Sequence, residues 1–100
     1  MDYRIYFELL GYRWTQEILT ALRDGPLRHT ELQHAMAPSP SSKVLTESLG
    51  RLLDHGLIQR ATGGDAAPYS LTDAGRAFVA LVLAFLNDLT RWGEEYAHAH

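Results

Sequence analysis

Three observations predict a mainly α fold of the α+β class. Residues 27–56 hold two short helical patterns separated by Ala37-Pro38-Ser39-Pro40. Residues 57–71 hold two short apolar runs around Gly63-Gly64, and residues 73–97 carry one long apolar stripe at helical spacing. Helix, turn, helix, hairpin and long helix, in that order, make a winged helix-turn-helix with a two-stranded wing. The organisation expected is a single domain over residues 1–100. Within it, 27–56 form the helix-turn-helix, 57–71 the wing, and 1–10 and 73–97 the dimerisation helices.

In chain order, Tyr3 to Leu10 is apolar and aromatic and reads as a short helix or arm ending at Gly11. Trp14, Ile18, Ala21 and Leu22 follow the i, i+4, i+7, i+8 pattern of a helix with one buried face. Asp24-Gly25-Pro26 stops it. Arg28 to Met36 places Leu32, Ala35 and Met36 on one helical face. The Pro38 and Pro40 rings end that helix, because proline lacks an N–H and restricts the residue before it. Ser41 or Ser42 offers a hydroxyl to cap the next helix, whose buried face takes Leu45, Leu49 and Leu52. Gly56 closes it by tolerating the left-handed conformation found just past a helix end.

Ile58 and Arg60 lead into the wing, and Tyr69 and Leu71 lead out. Pro68 has no hydrogen to give to the ladder, and the tip is expected to be mobile. Thr72 caps the last helix, with Asp73 in its first turn favourably placed against the helix dipole. That helix is expected to run to about Tyr96. Phe78, Leu81, Val82, Phe85, Leu89, Trp92 and Tyr96 form its stripe, and Val79, Leu83 and Leu86 widen it. A stripe this wide exceeds what one small core can cover, which predicts burial against a second chain and hence a homodimer.

Composition narrows the function. The 100 residues contain no cysteine, so no disulfide, thiolate metal site or thiol switch is available within them. Asp2, Arg4 and Glu8 interrupt any signal-peptide core, and the apolar run Ala77–Leu86 is half a membrane span, so a soluble cytoplasmic protein without membrane contact is expected. The net charge is −3. Arg23, Arg28, Lys43, Arg51 and Arg60 against Asp24, Glu31, Glu47 and Asp54 nevertheless leave residues 23–60 at +1, a weak basic footprint on the helix-turn-helix.

With Leu45, Leu49 and Leu52 inward, the second helix of the motif turns Ser42, Lys43, Thr46, Glu47, Gly50 and Arg51 outward. Hydroxyls and a lysine near a helix start suit phosphates or base edges, and a glutamate accepts from cytosine N4. The candidate DNA-binding residues are therefore Ser42, Lys43, Thr46, Glu47 and Arg51, with Arg28 and Arg60 at the phosphate backbone. The partner implied is a double-stranded DNA operator. Aromatics at the two chain ends suggest a second site, a pocket for a small apolar or aromatic effector among Tyr6, Phe7, Trp14, Phe85 and Trp92. Hydrophobic packing in a dimer core explains the same residues.

His98 and His100 are spaced i, i+2, which is not a helical ligand spacing, so no metal site is expected. Ser41 and Ser42 lack a nucleophile elbow, and Gly63-Gly64 lacks the Lys-Ser/Thr of a phosphate loop. Neither a catalytic residue nor a cofactor is expected. An alternative to the DNA reading is a winged-helix protein–protein interaction module without useful DNA affinity.

The runs Leu10-Gly11-Tyr12-Arg13-Trp14, Gly25-Pro26-Leu27-Arg28, Ser42-Lys43-Val44-Leu45-Thr46, Gly56-Leu57-Ile58 and Tyr69-Ser70-Leu71-Thr72-Asp73-Ala74-Gly75 together resemble the HxlR family of bacterial transcriptional regulators. The resemblance covers about Leu9 to Trp92 and implies a winged-helix homodimer, joined through its terminal helices, that binds an operator. It also marks departures. Many members carry a sensing cysteine before the first helix, where Met1-Asp2 stand here. Ser48 and Gly50 stand where arginines are frequent, His29 stands where an aromatic is usual, and the wing is shortened.

Overall fold

The computed structural model describes residues 4–64 and 66–97, apart from the side chains of Ile5, Tyr6, Phe7, Leu10 and Arg13. The elements are α1 (Arg4–Gly11), α2 (Arg13–Ala21), α3 (His29–Ala35), α4 (Ser42–Asp54), β1 (Ile58–Arg60), β2 (Tyr69–Leu71) and α5 (Asp73–Tyr96). The strands pair antiparallel in register Ile58↔Leu71, Gln59↔Ser70 and Arg60↔Tyr69. This is the winged helix-turn-helix expected.

Apolar spacing drives the core. Ile18, Leu19, Leu32, Leu45, Leu49 and Leu52 are each at most 1% exposed, and Leu57, Ile58, Tyr69, Leu71 and Val79 close the cluster from the wing and α5. Two polar residues join it unannounced by any apolar pattern: Thr15 at 0% and Ser48 at 2% exposure. Ser48 therefore belongs to the inward face of α4, not to the surface on which an arginine would meet phosphate. Ala35, expected inward, is exposed, because α3 is too short to bury more than Leu32 before the chain turns at Met36.

Side chains terminate the helices. Of the two serines offered for the α4 cap, Ser41 takes the role, accepting from the Val44 N–H at 3.2 Å. Gly56, at φ 70°, ends α4 as expected. Ser39 Oγ lies 2.8 and 2.9 Å from the Gln33 and Met36 carbonyls at the end of α3, and Gln33 Nε2 donates to the Pro40 carbonyl at 3.0 Å. The Pro-Ser-Pro turn, with a cis Ala37–Pro38 bond, is thereby fastened to the helix it ends.

The wing has a third participant. Leu27 exchanges both backbone hydrogen bonds with Tyr69, at 3.0 and 2.7 Å, so β2 is flanked by β1 on one side and by the lead-in to α3 on the other. Thr72 then clamps α5 onto the motif. Its Oγ1 accepts from Gly75 N–H and donates to the Gly56 carbonyl, while its own N–H meets the Leu57 carbonyl. From this anchor α5 projects, giving the chain a long axis of 53 Å.

The stripe of α5 divides. Val79 is buried and Phe78 and Leu83 pack against the core, whereas Leu81, Phe85, Leu86, Leu89, Trp92 and Tyr96 are between 46% and 70% exposed. Among the described residues, no helix is long and apolar enough to cross a membrane.

Candidate nucleic-acid interface

The outward surface of α4 is built by what lies beneath it. Leu45, Leu49 and Leu52 dock the helix, and that phase turns Ser42, Lys43, Thr46 and Glu47 into solvent, all four exposed. They cover the first two turns, and at the first turn the helix's uncapped N–H groups and the positive end of its dipole add attraction for phosphate. A Cβ added at Gly50 meets nothing within 4 Å, so this glycine leaves the surface flat without being required by packing.

Arg51 departs from that face. It is half-buried, with its guanidinium carbon 4.0 Å from the centre of the Tyr12 ring at the start of α2. Its Nε and Thr15 Oγ1 are buried without a hydrogen-bond partner among the described residues. A planar cation stacks well on an aromatic face, and Tyr12, 45% exposed, presents one beside α4.

Arg28 and Arg60 are brought together by the wing. Arg28 Nε donates to the Ala66 carbonyl at 3.0 Å, and Arg60 Nε donates to the next carbonyl, Ala67, at 3.2 Å. Arg60 also lies 4.8 Å over the Tyr69 ring. Both side chains thus reach carbonyls of the loop that joins β1 to β2. The Arg28 N–H is in turn capped by Glu31 Oε1 at 2.8 Å.

One contact at this surface was not foreseen. His29 Nε2 lies 3.2 Å from Thr46 Oγ1, joining the first residue of α3 to the outward face of α4. The only available sequence signal was a histidine at a position usually aromatic.

The described aromatic candidates take different places within one chain. Trp14 packs half-buried on the core, whereas Phe85 and Trp92 are 55% and 56% exposed on α5, and the side chains of Tyr6 and Phe7 lie outside the described residues. Trp92 and Tyr96 form a tilted pair with centroids 5.9 Å apart. A groove of about 360 Å³ runs between α2 and the end of α3, and one of about 220 Å³ lies beside Arg23, Arg76 and Leu83. Neither is lined by the aromatic candidates. No group of three potential metal ligands gathers among the described residues, and His98 and His100 lie outside them.

Residues 9–100 match the family model described as HxlR-like helix-turn-helix. An HTH-type transcriptional regulator of Methanothermobacter thermautotrophicus is 32% identical over an alignment of 90 residues that covers 87% of this chain and 65% of that one. The reduced form of the Bacillus subtilis transcriptional regulator YodB superposes with a TM-score of 0.76 at 28% identity, covering 97% of this chain and 93% of that one. Quinone-bound YodB gives 0.72 at 31% identity, covering 93% and 96%. The chain belongs to the HxlR-like helix-turn-helix family of transcriptional regulators.

Proposed function

We propose that this regulator is a homodimer that binds a pseudo-palindromic DNA operator sequence-specifically, with α4 of each subunit in a major groove. The observation that carries the reading is the outward face of α4: four exposed polar side chains at the start of a helix docked by three buried leucines. Lys43 and Ser42 suit phosphate, Thr46 and Glu47 suit base edges, and Arg28 and Arg60 sit where the wing meets the flanking backbone. The uncovered half of α5 supplies the dimer surface, since a single chain leaves six large apolar side chains in water there.

A small apolar or aromatic molecule at the dimer seam is the proposed effector. Phe85 and Trp92 would line its site once a second α5 covers them, and the quinone bound to YodB supports a conjugated ring as the class of ligand. With no cysteine in the 100 residues, such a ligand is held without a thiol bond. It acts by favouring one angle between subunits, because groove spacing of about 34 Å punishes misalignment.

Intramolecular contacts of Arg28, Arg51 and Arg60 favour a second reading, an interaction module without useful DNA affinity. Binding to the promoter region beside the protein's own gene across a salt series separates the two. Affinity that falls steeply with salt while retaining sequence preference supports the regulator. Weak, sequence-blind binding supports the module.

A further inference from the structure

The His29–Thr46 contact carries a chemical consequence. A threonine hydroxyl has one hydrogen to donate and lone pairs with which to accept. When His29 Nε2 bears a hydrogen, Thr46 accepts it and turns its own hydrogen outward. The hydroxyl is then a donor for guanine O6 or N7 or for thymine O4. When Nε2 bears none, Thr46 gives its hydrogen to the ring and shows DNA only lone pairs, an acceptor for adenine N6 or cytosine N4. Both ring nitrogens of an imidazolium carry hydrogen, so the charged form enforces the first arrangement.

We propose that His29 is a specificity-determining residue of this interface: its neutral ring, carrying its hydrogen on Nδ1, takes the Thr46 hydrogen at Nε2, and protonation reverses the hydrogen-bonding polarity that Thr46 presents to a base. The geometry holds the pair 3.2 Å apart across the two helices of the motif, with Thr46 exposed and His29 half-buried. The inference rests on α4 being the DNA-reading helix. The charged groups on the elements meeting here are Arg28, Glu31 and His34 on the α3 side and Lys43, Glu47, Arg51 and Asp54 on α4. Arg28 and Glu31 are engaged, with the Ala66 carbonyl and the Arg28 N–H respectively, and Arg51 is held over Tyr12.

The test is selection from a randomised duplex DNA library by the full chain at about pH 5 and about pH 8, which bracket histidine titration. At acid pH the base read by Thr46 shifts toward guanine or thymine by about 3- to 10-fold, the effect of one hydrogen bond. His29→Arg, a permanent donor, gives the acid preference at both values. His29→Ala and Thr46→Val each abolish the shift, whereas His34→Ala and His55→Ala keep it. Selected sites identical at both pH values, or a shift that survives Thr46→Val, overturn the inference while leaving the DNA reading standing. A folded chain that selects no sequence at either pH overturns both.

Discussion

Gly75 sits so close to the Leu57 carbonyl that a Cβ built on it would stand 1.9 Å from the oxygen. The obstacle is backbone, already fixed by the Thr72 N–H at 3.1 Å, so it has little room to retreat. Gly75→Ala is therefore expected to lift the start of α5 from the motif and destabilise the fold by about 1–3 kcal/mol, the usual range for overpacking. Urea unfolding measures this. An unchanged midpoint would mean that α5 does not seat on Leu57 as described.

Gly50 predicts the opposite sign. Its added Cβ meets open space, so Gly50→Ala is expected to stabilise the chain by about 0.5–1 kcal/mol through helix propensity. Thermal unfolding reads the gain. If α4 approaches DNA over this flat patch, the same variant binds its operator more weakly despite being more stable.

Much of this architecture was legible in the sequence, for definite reasons. Leu45, Leu49 and Leu52 declare α4 because a 3.6-residue period shows in apolar spacing alone. Proline and glycine mark the turns because their constraints are local. Ser48 and Thr15 were not legible as interior residues, since a polar side chain hides a buried position from any hydrophobic pattern. The Leu27–Tyr69 pairing was not legible either, because a one-residue bridge has no alternation to read. At the candidate site, Ser42, Lys43, Thr46 and Glu47 follow from the phase of α4. Arg51 over Tyr12, the arginines on the wing carbonyls and His29 beside Thr46 depend on how distant segments meet, which spacing along one helix cannot encode.

The uncovered α5 stripe makes the dimer testable. Phe85→Asp is expected to reduce the mass seen by light scattering from about twice 11.2 kDa to 11.2 kDa at micromolar concentration. Helix content should stay unchanged, because Phe85 is 55% exposed and lies outside the monomer's core. A wild-type monomer over that range contradicts the reading, as does a variant that remains a dimer.

Lys43 and Arg51 are expected to act differently. Lys43→Ala removes a phosphate contact, so operator affinity falls nearly uniformly across sequences and the salt slope shrinks by about one per subunit. Arg51→Ala removes a stacking partner of Tyr12 instead, with about 0.5–1 kcal/mol lost from stability and the salt slope preserved. Fluorescence anisotropy across a salt series, with urea unfolding beside it, distinguishes the two. A slope change for Arg51→Ala equal to that for Lys43→Ala would place Arg51 on DNA rather than on Tyr12.

Two copies of α4 are proposed to read adjacent major grooves. Hydroxyl-radical footprinting on sequences enriched from a randomised duplex library at neutral pH tests it most directly. Two inverted half-sites with centres about 34 Å apart, one helical turn, are the predicted result. A single unpaired half-site, or no enriched sequence from a folded dimer, would contradict it.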